Sequence, residues 1–368
     1  MATLLQCPSV VLNIFKLSSE TQNKPEAHAN SASKDGLTPL HVASMVDNQR
    51  IAHILVENGA SIMNKDRSGR TAVYWAAVCS SMEVLDYLSN LEDATQHGLI
   101  NAPDVDSASP LHVALRKQNV RTAERLVELG ADIYSRTASG QSPLHYAVRH
   151  APDATSMLLQ RGALLQETSS NGRNALLWAC VLGDKKCVST LLQANTDICV
   201  KDNIDATPLH LLVQFSPEPL NAAKLLLEHG ALPDEADTNG VTPLHISIER
   251  RHFAVAELLL LRGANAKKTS ILERSVLQIA ASHPDCPDRL WALLGDVNTL
   301  DKNGQGALHL AAKSQRITEV ENLLAHGADT ELRNTTSETA LHLAIRHFVK
   351  GRHQSRNLDE LDLRIKNE

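Results

Sequence analysis

Residues 36–43 read Gly-Leu-Thr-Pro-Leu-His-Val-Ala, and this phrase decides the architecture because the chain keeps returning to it. Variants begin at Thr71 (TAVYWA), Ser109 (SPLHVA), Ser142 (SPLHYA), Asn174 (NALLWA), Thr207 (TPLHLL), Thr242 (TPLHIS), Ser275 (SVLQIA), Gly306 (GALHLA) and Thr339 (TALHLA). Ten copies spaced 31 to 38 residues apart, most often 33, describe a stack of small units and not a set of globular domains. The chemistry of the phrase is that of a helix start. Thr38, Thr207 and Thr242 are N-cap residues, and Pro39, Pro208 and Pro243 follow at the first helical position, where no N–H is missed. The fifth residue is apolar in every copy, including Val42, Trp75, Tyr146, Trp178 and Leu343, and is expected to face the neighbouring unit.

About a dozen residues after each phrase a second apolar stripe appears, as in Ala52-His-Ile-Leu-Val56 and Ala256-Glu-Leu-Leu-Leu260. Its spacing predicts a second helix packed antiparallel on the first. The stripe stops at Gly-Ala in most units, at Gly59, Gly130, Gly162, Gly230, Gly263 and Gly327, where glycine supplies the left-handed residue that ends a helix. A polar turn such as Asp66-Arg-Ser-Gly69 or Asp237-Thr-Asn-Gly240 then leads to the next phrase.

Helix, turn, helix, Gly-Ala and a projecting turn, with T-P-L-H-x-A at a 33-residue period, resemble the ankyrin repeat over residues 33–350. The resemblance implies an all-α solenoid of stacked helix-turn-helix units whose projecting β-turn loops border a concave face. Residues 1–32 are expected to form an N-terminal cap or linker, and residues 351–368 a polar C-terminal cap or tail. Three units depart from the pattern. The second loses Gly-Ala at Asn90-Leu91 and gains five residues, predicting a longer loop between Leu91 and Asp106. The fifth reads Asn195-Thr-Asp197 in place of Gly-Ala-Asp. The eighth has Glu273 for the turn glycine, Gln278 for the histidine, and Pro284 and Pro287 between its helices, making it the expected soft point.

Composition narrows the function. The 368 residues carry 36 basic and 42 acidic side chains, a net charge of −6, too mild to mark the whole chain as a nucleic-acid binder. Aromatics at 3% are thin for a stacking surface. No apolar run approaches the roughly 20 residues of a membrane span. The six cysteines show neither C-x-x-C nor disulfide-dense spacing, which suits reduced thiols in the cytoplasm or nucleus. Seven histidines (41, 112, 145, 210, 245, 309 and 342) are the fourth residue of the phrase, where the imidazole is placed to bond the cap or a neighbouring turn. That structural role, with no H-E-x-x-H and no zinc spacing, leaves neither a metal nor a cofactor implied. Nor is there a phosphate loop or a G-x-S-x-G elbow, so a non-enzymatic chain is expected.

Recognition by surface remains. In the architecture the resemblance implies, the concave face takes six positions per unit: 6, 4, 3 and 1 before the cap, and 7 and 8 after it. Sixteen of the 36 basic residues fall on these sixty positions, against four of the 42 acids, where even spreading would give about six and about seven. The basic residues run densest from Lys65 to Arg149, with Arg67, Arg70, Arg116, Lys117 and Arg136 between, and Arg173 beyond. Met45, Val78 and Phe215 are apolar exceptions at inner helix ends and are candidate hydrophobic anchors. Asn64 lies where members of the resembled family are hydroxylated, making it a candidate modification site. The expectation is a scaffold or adaptor holding an acidic segment of a partner protein in a basic groove. Two alternatives stand: a groove for anionic lipid headgroups or nucleic acid, and the repeat portion of a larger regulatory protein.

Overall fold

The computed structural model describes residues 28–91, 98–270, 275–281, 286–301 and 303–347. Among them the chain is all-α, with one isolated antiparallel bridge between Thr269 and Ser275. Two compact bodies are distinguished, one comprising residues to Ala179 with Lys186–Thr196, the other Cys180–Lys185 with Asp197 onward. In the first, the inner helices α1 (Pro39–Met45), α3 (Ala72–Cys79), α5 (Pro110–Arg116) and α7 (Pro143–His150) pack one on the next. Each is backed by its own second helix: α2 (Gln49–Glu57), α4 (Met82–Ser89), α6 (Val120–Glu128) and α8 (Thr155–Gln160). The second body repeats the pattern with Pro208–Phe215, Pro243–Glu249, Val276–Ala280 and Ala307–Lys313 as inner helices.

Most phrase leucines described are sealed in this packing, Leu341 of the tenth phrase being exposed. Leu40, Leu111, Leu144, Leu209 and Leu244 are essentially inaccessible, and Leu→Ala at such a site costs about 2–5 kcal/mol. Cys180 and Cys187 behave as small core residues, burial pushing the Cys180 thiol far up.

The phrase histidine joins consecutive repeats. At His41, Nδ1 accepts from the Thr38 backbone N–H at 2.9 Å and meets the Thr38 hydroxyl at 2.9 Å. Nε2 lies 3.0 Å from the carbonyl of Arg70, the residue just before the next cap. A nitrogen facing an N–H must be bare, and one facing a carbonyl must carry the proton, so the ring is the neutral Nε2–H tautomer. His112, His145 and His210 make the same pair of bonds, to the carbonyls of Gln141, Arg173 and Val241. In the eighth repeat Gln278 substitutes for the imidazole: Oε1 accepts from the Ser275 N–H at 2.9 Å and Nε2 donates to the Gln305 carbonyl at 2.6 Å. Of the departures that mark this repeat, Gln278 therefore preserves the bridge.

The projecting turns form a second ladder. Asp66 Oδ1 accepts from the N–H groups of Ser68 and Arg70, and Asp104, Asp202, Asp237 and Asp301 close their turns likewise. Tip to tip, Arg67 N–H donates to the Asp35 carbonyl, Val105 to Ser68, Ala138 to Asp106 and Ser170 to Ser139. Gly36 shows how close the turns come: its φ is +80°, and a Cβ there would lie 2.9 Å from the backbone nitrogen of Arg67. Gly36→Ala is expected to cost about 2 kcal/mol, through the left-handed backbone and the displaced turn, measured by urea unfolding.

Several sequence expectations meet the structure here. Val113, Leu211 and Ile246 are buried against their neighbours, but Trp75, Tyr146 and Trp178 at the same phrase position are only half-buried and reach the surface. The longer second loop contains a 3₁₀ turn, Leu99–Asn101, and residues 92–97 lie outside the described ones. So do Glu273 and Pro284, the tail 351–368 and most of the leading segment. Asn30 is fastened to the first repeat: its amide donates to the Gly59 carbonyl, and its Oδ1 accepts from Ser61 N–H and Asn64 Nδ2.

Candidate functional site

The eight basic residues singled out by position all belong to the first body, whereas Phe215, exposed at 51%, lies in the second. Lys65, Arg67, Arg116, Lys117, Arg136 and Arg149 are exposed; Arg70 and Arg173 are half-buried, as are Met45 and Val78. Among the described residues, Lys65, Arg67, Arg116, Lys117 and Arg149 form no ion pair. Lys65 Nζ makes a long 3.4 Å contact with the Pro103 carbonyl. These five present open positive charge.

Arg70 is committed within the protein. Its Nε donates to Asp66 Oδ2 at 2.9 Å, the Trp75 indole N–H donates to the same oxygen at 3.0 Å, and the guanidinium carbon sits 4.4 Å from the Trp75 ring centroid. Burial alone would raise the Asp66 carboxyl. The Arg70 N–H, the indole, the Ser68 N–H and the Arg70 charge together hold it below its ordinary value. Arg136 is likewise occupied, donating to the Thr168 carbonyl at 2.8 Å with Glu167 3.9 Å away.

Around Tyr146 and Trp178 the charge is denser. Arg149 lies 5.0 Å and Arg173 5.6 Å from the Trp178 ring centroid. The Tyr146 ring stands edge-on to His112 at 4.9 Å and tilted to His150 at 5.9 Å. Burial, then the charges of Arg149 and Arg116, hold His150 below its usual range, placing both arginines close to that imidazole. The Asp66 carboxylate is turned into its own turn, with the residue only 6% exposed. Asp104 also accepts from the Tyr74 hydroxyl at 2.7 Å, while Asp35 and Asp106 are exposed.

The three ring positions are what sequence reading missed. Aromatics are sparse overall, yet Trp75, Tyr146 and Trp178 share one phrase position and border the arginines. The signal was present in the alignment of the phrases themselves. Asn64, the candidate modification site, is half-buried with its amide on Asn30. No group of three His, Cys, Asp or Glu among the described residues is arranged to hold a metal ion, and none of the described helices is long and apolar enough to cross a membrane.

The family model for ankyrin repeats, in three-copy form, matches residues 10–98, 63–137, 89–167, 111–202, 199–270 and 277–355. The chain belongs to the ankyrin-repeat family. Ankyrin repeats generally mediate protein–protein interaction, and the fold is not itself catalytic. Among relatives, the mouse B-cell lymphoma 3 protein homolog is 28% identical over 66% of this chain and 49% of its own length. The fly transient receptor potential cation channel subfamily A member 1 is 27% identical over 88% of this chain and 25% of its own. Nuclear factor NF-kappa-B p105 subunit from chicken is 26% identical over 55% and 21%. This ankyrin-repeat chain thus spans half or less of the length of these relatives.

Proposed function

We propose that this ankyrin-repeat chain is a non-enzymatic scaffold that holds an acidic segment of a partner protein along the basic face of its first body. The observation that carries the reading is the set of five exposed cations, Lys65, Arg67, Arg116, Lys117 and Arg149, that have no intramolecular carboxylate among the described residues. Half-buried Met45 and Val78 supply apolar contact, and Asn64 is the adjoining candidate for modification. Unpaired surface charge contributes little to folding but steers an oppositely charged chain and fixes its register. Phe215 would anchor a segment only on the second body. A cytoplasmic or nuclear setting, where thiols stay reduced, suits the free cysteines.

The test is fluorescence anisotropy with a labelled peptide of alternating Glu and Ala, with duplex DNA and anionic vesicles as parallel probes. Wild type is expected to bind the peptide with an affinity that falls as salt rises. The triple variant Lys65→Glu, Arg67→Glu, Lys117→Glu should lose about thirtyfold or more while melting unchanged. Binding of DNA or vesicles in preference to the peptide, or an unaffected triple variant, would sink the reading.

A further inference from the structure

The second and fifth repeats contain the same arrangement with one part exchanged. In the second, Asp66, Arg70 and Trp75 stand five and one residues before the cap and four after it, and one carboxylate oxygen serves both the guanidinium Nε and the indole N–H. In the fifth, the same three positions hold Ser169, Arg173 and Trp178. Ser169 is too short to reach the indole and spends its hydroxyl on Asn171 Oδ1 at 2.6 Å and the Arg173 carbonyl at 2.9 Å. The Trp178 indole N–H is buried with no hydrogen-bond partner, an arrangement that costs free energy unless something completes it. An added cation sits there too: Arg149 lies over the Trp178 ring, whereas Met45 occupies the matching place beside the second repeat.

We propose that Arg149 and the Trp178 indole N–H, with Arg173 alongside, form a carboxylate subsite that takes one Asp or Glu side chain of the acidic segment, in the role Asp66 plays for Trp75. The inference rests on the groove reading above and adds to it one residue-level position. Arg149 is exposed and its side chain long, so it can leave the ring to meet an entering carboxylate and uncover the indole edge. An acidic residue placed there makes two charge-assisted hydrogen bonds, and at this point the ligand is held by donors of fixed geometry and not by field alone.

The decisive variant is Ser169→Asp, which makes the fifth repeat a copy of the second and supplies the carboxylate from within. It should melt no lower than wild type, move the Trp178 indole ¹H–¹⁵N resonance toward that of Trp75, and weaken the Glu-Ala peptide about tenfold. Trp178→Phe, which assigns that resonance, and Arg149→Gln should each weaken the peptide several-fold to tenfold, and Trp75→Phe should not. In wild type the peptide should shift the Trp178 indole signal. Retained peptide binding with loss in the Lys65, Arg67, Lys117 triple variant, but none in Ser169→Asp or Trp178→Phe, would overturn the subsite and leave the groove standing. Failure of wild type to bind either the Glu-Ala peptide or a phosphoserine peptide would remove the groove. The template argument would separately fall if Ser169→Asp lowered the melt and left the indole resonance in place. Tighter binding of a phosphoserine peptide, with no measurable binding of the Glu-Ala one, would overturn the choice of carboxylate.

Discussion

Lowering the pH from 7 to 5 is expected to remove several kcal/mol of stability from this protein, while most of its carboxylates are still ionised. The cause is the histidine bridge. His41, His112, His145 and His210 are each held below their ordinary value of 6.5, first by burial, only partly offset by the carbonyl each one faces, and His112 is lowered to about 4. A histidine whose folded pKa is depressed binds its proton more readily in the unfolded chain. Its contribution is therefore complete above about 6.5 and is lost as pH falls through that value toward the folded pKa. For His112 alone the loss at pH 5 is about 2 kcal/mol, and the other three act in the same direction. Urea midpoints measured from pH 7.5 to 4.5 should fall steeply below pH 6.5. A midpoint flat from 7.5 to 5 would show that the rings are not buried neutral.

The natural glutamine of the eighth repeat provides the control. Gln278 makes both bonds of the bridge without a titrating proton. His112→Gln should therefore keep most of the neutral-pH stability and reduce the acid slope, whereas His112→Leu should cost about 2–4 kcal/mol. The leucine would leave the Ser109 N–H and the Gln141 carbonyl without their partner.

The repeat was readable because its signals agree: cap, proline, helical stripe and terminating glycine recur together at a constant period, so no single residue carries the assignment. The bridge was half readable. The fourth phrase position suggests a bond to the cap or to a turn, but only the stacking of repeats brings Nε2 of His41 to the Arg70 carbonyl while Nδ1 stays on the cap. The groove was less accessible still. Counting positions selects exposed residues such as Arg67 and Lys117, yet cannot separate them from Arg70, whose charge is spent on Asp66. That distinction depends on three side chains meeting from positions −5, −1 and +4 around one cap. Comparing those three positions between repeats would have exposed the exchange of Asp66 for Ser169.

Reversing that exchange is the most informative single change in the second repeat. In Asp66→Ser, the hydroxyl can still hold the turn by donating to the Arg70 carbonyl, as Ser169 Oγ donates to that of Arg173, but it does not reproduce the acceptor that Oδ1 offers to two N–H groups, and nothing replaces Oδ2. Arg70 loses its ion pair, the Trp75 indole loses its acceptor, and the depressed carboxyl no longer contributes above pH 4; the expected cost is about 2–4 kcal/mol. Function should move the opposite way. The variant frees the Arg70 guanidinium over Trp75, adds one positive charge to the face, and creates a second indole N–H awaiting a carboxylate. The Glu-Ala peptide should bind several-fold tighter, with the Trp75 indole resonance now responding to it. A destabilised variant with unchanged affinity would mean that the trio of the second repeat is purely structural. A gain in affinity that Trp75→Phe cancels would show that one sequence position, five residues before the cap, sets whether a repeat supplies its own carboxylate or takes it from a partner.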